Sequence, residues 1–337
     1  MKLDLAQIKS VTLGAVRIEQ TEQGVFFYRF TKEQEELYKV RNKAYYARSF
    51  ATSGVKLRFC TDSETLFLDA DVIAAGGRTY FSFDVLVNGK MIGALDNYTG
   101  KELPVPYTEA VLERGEVSGK FNLGAGKKEV CIYLPWSNQI ALKSVELDDN
   151  SFVEPVKFSK KILCFGDSIT QGYDALCSSN KYITKFAEML DAEEYNKAIG
   201  GEVFFPELAA SKEDFEPDYI TVAYGTNDWG MGKKEVFEVR CKAFFENLTN
   251  NYPNAKIIAI TPIWRKEMYE VKRFGDFMSV AEIIEAQVKG FKNVSVVKGF
   301  GFVPKEESYY ADLRLHPNDK GFAEYFESLA KSVKDIL

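Results

Sequence analysis

The stretch Lys161–Gly172, KILCFGDSITQG, passes without a break from an apolar run to a polar turn bounded by glycines. Ile162, Leu163, Cys164 and Phe165 have the character of a buried strand, and Gly166 and Gly172 bracket the turn after it. A buried strand that ends in Gly-Asp-Ser delivers a serine, Ser168, just past its carboxyl end. In a parallel sheet that is the side on which ligands bind.

Downstream the same grammar repeats. The apolar runs DYITVAYG, KIIAITP and NVSVVKG alternate with amphipathic stretches such as NKYITKFAEML, KKEVFEVRCKAFFENLTNNYP and VAEIIEAQVKGF, and KGFAEYFESLAKSVKDIL closes the chain. That pattern predicts a parallel sheet covered by helices. Upstream, from Val11 to about Leu147, the runs are short and alternating (GVFFYRF, GVKLRFC, ETLFLDADV, TYFSFDVLVNGK, KKEVCIYLP), several of them separated by Gly or Asn-Gly turns. Helical character there is confined to TKEQEELYKVRNKA. Such spacing predicts an antiparallel β-sandwich of jelly-roll type. The expected architecture is therefore an α/β domain, residues 156–337, preceded by a β-sandwich domain, residues 1–155. The grammar changes between Ser151 and Phe158.

Three more short motifs fall in the second half: NKAIGG ending at Gly201, YGTNDWG after a strand, and DLRLHPND before the last helix. A serine hydroxyl needs an adjacent base to become a nucleophile at neutral pH. The chain has one histidine, His316, and it lies in LHPND rather than on an apolar face. Attack on an ester carbonyl places negative charge on its oxygen, and each preorganised donor aimed there is worth about 3–4 kcal/mol. The N–H groups of Ser168 and Gly201 and the amide of Asn227 are the candidate donors, with Gly200 beside Gly201; the other reading is a glycine that only allows a tight turn and an asparagine that only caps a helix.

Together, GDSITQG, the glycine pair, GTND and HPND resemble the SGNH (GDSL-type) hydrolases, in which a serine, a glycine, an asparagine and a histidine follow one another in that order. The resemblance covers about Lys160 to the C-terminus. It implies a flavodoxin-like three-layer domain, with Ser168 as nucleophile, Gly201 and Asn227 in the oxyanion hole and His316 as general base. The family's acid lies three residues before the histidine. Here that position is Leu313, and Asp312 stands four before. Either the loop shifts by one residue so that Asp312 still meets the imidazole, or the enzyme is a Ser–His dyad with a carbonyl orienting the ring. Asp319 is placed to complement the dipole of the final helix.

A β-sandwich ahead of such a domain resembles the arrangement in family-2 carbohydrate esterases, which implies a small acyl group, an acetyl, carried on a sugar. Trp229, Trp264 and Tyr173, each next to a motif or a strand end, are the candidate rings for stacking on that sugar. Whether Trp136 reaches the cleft is left open. A lipase acting on longer acyl chains and an inactive carbohydrate-binding protein are the alternatives. A phosphodiesterase would need clusters of metal ligands that one histidine cannot supply, so neither metal nor cofactor is expected.

Composition agrees with a globular chain of about two domains: 337 residues, 46% of them hydrophobic and 27% charged. A net charge of −6 and a pI near 5.3 argue against nucleic acid as a partner. Cys60, Cys131, Cys164, Cys177 and Cys241 show no C-x-x-C spacing and suit reduced thiols. Asp4, Gln7, Lys9 and Ser10 interrupt any signal-peptide core, and no uninterrupted apolar run spans a membrane. A cytoplasmic protein with an ester substrate, small or oligosaccharide, is expected, and no signal bears on its oligomeric state.

Overall fold

The computed structural model describes all residues, Met1–Leu337. The apolar run of the opening stretch is the strand Lys160–Gly166, with Ile162, Leu163, Cys164 and Phe165 all buried. It is one of five parallel strands. In spatial order these are Ala192–Asn196, Lys160–Gly166, Tyr219–Ala223, Lys256–Ile260 and Val294–Val297. Numbered along the chain, that order is 2-1-3-4-5, the flavodoxin-like doubly wound arrangement. Continuous apolar strands suit a sheet buried on both faces. The helices divide accordingly: Tyr182–Met189 packs with Asp319–Ser332, while Lys234–Asn251 packs with Pro206–Ala210 and Ser279–Val288.

The first half holds two antiparallel sheets. One orders Arg17–Thr21, Gly24–Tyr28, Asn138–Leu147, Thr65–Ala74 and Gly115–Asn122; the other orders Thr12–Leu13, Lys56–Thr61, Lys128–Tyr133, Ser82–Val87 and Lys90–Asp96. Along Thr65–Ala74, Leu66, Leu68, Ala70 and Val72 are buried and their neighbours are not, the alternation of a strand with one face on a core. That core lies between the sheets, where Phe27, Leu66, Leu68 and Ile140 meet Leu57, Phe59, Phe83 and Ile132. The last antiparallel pairing is Glu154–Pro155 with Phe59 and Cys60, and the parallel sheet begins at Lys160.

TKEQEELYKVRNKA forms two helices. Lys32–Arg41 starts at a capping box in which Thr31 and Gln34 bond each other's backbone, and Lys43–Ser49 starts where Asn42 accepts from Ala44 N–H and Tyr45 N–H. This pair lies against the parallel-sheet domain. Phe30, Tyr38, Tyr80 and Trp136 of the first half belong to the same buried cluster as the parallel strands. All five cysteines are free. No helix is long and apolar enough to cross a membrane.

Candidate active site

The turn after Lys160–Gly166 is as tight as its glycines require. Asp167 caps the four-residue helix Ser168–Gln171, its Oδ1 accepting from Ile169 N–H at 3.0 Å. A Cβ on Gly166 would lie 2.4 Å from Thr170 Oγ1, and Gly172 ends the helix at φ +109°, where a Cβ would meet the buried Lys181 side chain at 2.2 Å. Ser168 is thereby held at the first helical position, where its N–H has no carbonyl one turn back. Burial pushes the Asp167 carboxyl up to about 6, offset in part by the Ile169 N–H.

The three candidate oxyanion donors come from the carboxyl ends of three adjacent strands. Ser168 follows Lys160–Gly166, Gly201 lies on the loop after Ala192–Asn196, and Asn227 follows Tyr219–Ala223. Of the two glycines, Gly200 has its N–H committed to Gln171 Oε1 at 2.7 Å, whereas Gly201 N–H donates to no protein group. Gly201 adopts φ +82°, and a Cβ on Gly200 would run into the Tyr173 ring at 2.8 Å. Asn227 donates one amide hydrogen to the Glu202 carbonyl at 3.0 Å, which fixes the side chain and leaves the other for the cleft.

His316 lies on a loop closed on itself by Ala311 N–H to the His316 carbonyl (2.8 Å) and Asn318 N–H to the Tyr309 carbonyl (3.0 Å). Its Nε2 is 2.8 Å from Ser168 Oγ and its Nδ1 is 2.9 Å from Asp312 Oδ2. The unusual spacing is absorbed at Leu313, whose left-handed backbone (φ +59°) takes up the extra residue. Asp312 Oδ1 accepts the N–H groups of Arg314, Leu315 and His316 at 2.7–3.0 Å. Burial alone would raise Asp312, but the hydrogen bond and charge of His316 together with these N–H groups hold it far below the ordinary carboxylate range. An ionised carboxylate only accepts, so Nδ1 carries the proton and Nε2 is free to take one from Ser168.

A second carboxylate touches the same nitrogen. Asp174 Oδ2 lies 3.3 Å from His316 Nδ1, fully buried. Arg78 grips it through both oxygens at 2.6 and 2.9 Å, and Tyr80 O–H donates to it at 2.5 Å. Both partners belong to the first half. Burial lowers His316, but the hydrogen bond to Asp312 and the charges of Asp174 and Asp312 outweigh it, and the net shift is upward. Asp174, Asp312 and His316 are also the only clustered metal-ligand types, yet their acceptor oxygens are already taken by arginine, tyrosine and backbone N–H groups. The cluster serves the imidazole.

The cleft over Ser168 has a volume of 410 Å³ and is lined by Tyr173, Gly200, Gly201, Asn227, Leu315 and His316, by Met231, and by Arg48, Arg78, Arg265, Lys272 and Arg314. Tyr173 is present as expected, its ring 5.7 Å from that of His316. Trp136 packs behind it at 4.8 Å and donates Nε1–H to the Ala175 carbonyl, so it does not reach the cleft. The two other tryptophans correct the sequence-based expectation. Trp229 is fully buried, its Nε1–H on the Gly275 carbonyl (2.8 Å) and its ring on Phe277; Trp264 is buried against Tyr310. Neither offers a face to a sugar, because both follow strand ends but turn into the core beneath the cleft. Asp319 accepts from Leu176 N–H, away from the imidazole. Sequence reasoning missed Asp174 and the five basic residues. Arg265 and Arg314 adjoin motifs already singled out, in ITPIWRK and RLH, but Asp174 and Arg78 carry no local signal.

Residues 164–323 match the GDSL-like Lipase/Acylhydrolase family. No protein of curated function matches the chain in sequence. Among solved structures, the salicylyl-acyltransferase SsfX3 from a tetracycline biosynthetic pathway superposes with a TM-score of 0.79 at 20% identity, over 96% of this chain and 94% of that one. A putative GDSL-like lipase from Bacteroides ovatus gives 0.77 at 18% identity, over 100% and 97%. A family-two carbohydrate esterase from Clostridium thermocellum, solved with cellohexaose, gives 0.67 at 15% identity, over 96% and 98%. At these identities the likeness is one of fold, and it extends through both halves of the chain. The chain thus carries a GDSL-like lipase/acylhydrolase domain and is a carboxylic ester hydrolase.

Proposed function

We propose that the enzyme hydrolyses short acyl esters of polar alcohols, an acetylated carbohydrate being the substrate class, through Ser168 as nucleophile, His316 as general base and Asp312 as its orienting acid. The observation that carries this reading is the 2.8 Å contact of Ser168 Oγ with His316 Nε2 at the floor of an open cleft. His316 takes the hydroxyl proton as Oγ attacks the acyl carbon. The oxyanion forms against Ser168 N–H, Gly201 N–H and Asn227. His316 then returns the proton to the departing alcohol, and water repeats the sequence on the acyl-enzyme. Asp312 and Asp174 keep the proton on Nδ1 throughout.

A short acyl group is supported by the lining, in which Met231 and Leu315 are the only aliphatic side chains. A long alkyl chain needs an apolar trough, and the cleft has none. The carbohydrate half of the reading draws on the two-domain likeness to the cellohexaose-bound esterase. It does so without the tryptophan platforms expected from the sequence, which leaves Tyr173 as the one ring at hand.

The test pairs an aryl acetate with the matching octanoate, then an acetylated oligosaccharide. The acetate is expected to give the higher kcat/KM, and Ser168→Ala to lower turnover by several orders of magnitude with the circular-dichroism spectrum unchanged. A folded Ser168→Ala enzyme of normal activity removes the nucleophile. A preference for octanoate moves the protein to the lipases.

A further inference from the structure

The cleft is cationic on a chain whose net charge is −6. Arg48, Arg78, Arg265, Lys272 and Arg314 line it, and no carboxylate does. The acids that offset them stand behind. Asp174 takes Arg78, Glu270 takes Lys272, and Glu267 is shared between Arg265 (3.2 Å) and Arg314. By ion pairs two cations stay unmatched, one of the Arg265–Arg314 pair and Arg48; Asp312 behind the imidazole and the buried Asp167, whose charge acts on Arg265, lie deeper and make no ion pair with either.

Arg48 makes no ion pair at all. It is tied instead by carbonyls, Nε donating to Gly76 at 3.0 Å and Nη1 to Gly200 at 2.5 Å. Its Nη1 stands 3.3 Å from where a Cβ on Gly201 would be, beside the glycine of the candidate oxyanion hole. Across the cleft, Arg265 and Lys272 lie 5.0 and 5.6 Å over the ring of buried Trp229, which gives that tryptophan a different task from sugar stacking: it seats two cations. These are positioned charges rather than a solvated fringe. A half-buried guanidinium held without a carboxylate and facing a cleft is the element that recognises planar anions.

We propose that the substrate ester is anionic, with a carboxylate or phosphate that docks on Arg48 and the Arg265–Arg314 pair while the ester carbonyl lies over Ser168. This rests on the reading of Ser168 as the nucleophile. The same chemistry can reach the cleft from either half of the ester, as a charged acyl group or as an acidic sugar or other acidic alcohol.

The experiment compares kcat/KM of the intact enzyme for matched esters. 3-Acetoxybenzoate against 3-acetoxybenzamide places the charge on the alcohol half; phenyl hemisuccinate against phenyl succinamate places it on the acyl half, with the uncatalysed rate subtracted. One anionic ester is expected to exceed its neutral partner by about tenfold or more at low ionic strength, with the ratio shrinking as salt is added; the pair that shows it identifies the half that carries the charge. Arg48→Gln is expected to cut that ratio toward unity and Arg48→Lys to retain most of it, the ratio rather than the absolute rate being read. Hydrolysis of the neutral esters with no anionic preference in either pair overturns the proposal and leaves the esterase reading standing. A salt-independent preference, or one that survives Arg48→Gln undiminished, also overturns it. Failure to hydrolyse any of the four overturns the reading of Ser168 on which it rests.

Discussion

His316 Nδ1 has two carboxylates within reach, at 2.9 Å (Asp312) and 3.3 Å (Asp174), and this double anchoring sets what single substitutions do. In a serine protease, turning the triad acid into its amide costs about ten-thousandfold in kcat, because the imidazole adopts the wrong tautomer. Here Asp312→Asn leaves Asp174 to hold the proton on Nδ1. The expected loss is therefore nearer a hundredfold on the same scale, and Asp312→Asn combined with Asp174→Asn takes the remainder. If Asp312→Asn alone already costs the full amount, Asp174 is a structural ion-pair partner only. The pH profile separates the roles further. The base must be neutral to accept the serine proton, and its pKa is raised by both carboxylates, so the acid limb of kcat/KM is expected above the ordinary histidine value of about 6.5. Asp174→Asn removes a charge that favours the imidazolium and leaves Arg78 unpaired beside it. Both effects move the limb toward lower pH, and a limb that stays put denies Asp174 any electrostatic hold on the ring. Ser168, Gly201, Asn227 and His316 were legible as candidates because each lies in a short motif, the first three after a strand and His316 just before the last helix. Asp312 was half legible: the spacing looked wrong until the left-handed Leu313 accounted for it. Asp174 was not legible, since its relation to His316 depends on a backbone φ of +150° and on Arg78, far away in the chain.

The strand–turn–helix element around Ser168 explains why its residues are small and polar where they are. Gly166 and Thr170 share a space that admits no further methyl group, with the Ala223 carbonyl 3.1 Å away on the neighbouring strand. Gly166→Ala is therefore expected to destabilise the fold by about 1–3 kcal/mol, the usual cost of overpacking, and to lower kcat by displacing Ser168 from His316. Gly301→Ala is the control: a Cβ there meets nothing within 4 Å and the backbone is not left-handed. Equal melting temperatures for the two variants would mean that the turn is more compliant than its geometry indicates. Four of the five parallel strands were readable because continuous apolar runs alternate with amphipathic helices; the edge strand Ala192–Asn196, AEEYN, was not, since it carries two glutamates and its burial alternates. The fate of the tryptophans was not readable either. A ring following a strand end can face the cleft or the core, and which it does is decided by partners such as Gly275, Phe277 and Tyr310 that no local pattern announces.

The sequence divides the chain at about residue 155, but the contacts across that line bear on the chemistry. Tyr45 O–H donates to the Gly201 carbonyl at 2.7 Å, Arg48 to the Gly200 carbonyl, and Arg29 to the carbonyls of Asn196 and Ala198, so the loop bearing Gly201, the candidate oxyanion glycine, is tied at four carbonyls by the first half. Buried pairs reinforce this. Gln34 bridges Lys197 and Glu213, themselves an ion pair of the second half, and Tyr38 O–H donates to Glu202, whose carboxyl burial pushes up to about 8 and whose carbonyl orients Asn227. Arg78 and Tyr80 hold Asp174 from the same side. The sandwich and its two helices are thus a wall of the active site rather than an appended module. Residues 156–337 produced alone would expose the apolar surface now covered by Phe30, Tyr38, Tyr80 and Trp136, would leave Asp174 without Arg78 and Tyr80, and would take Gln34 and the Arg29 carbonyl from Lys197, which keeps only Glu213. Each unpaired buried charge costs about 3–5 kcal/mol, comparable to the whole stability of a domain of ordinary size, about 5–15 kcal/mol. The isolated segment is expected to lack a cooperative thermal transition and to show no esterase activity. Adding residues 1–155 in trans is expected to restore both in proportion, since the missing contacts are non-covalent. A stable, active 156–337 fragment would show that the oxyanion loop holds its shape unaided and that the first half serves substrate recognition alone.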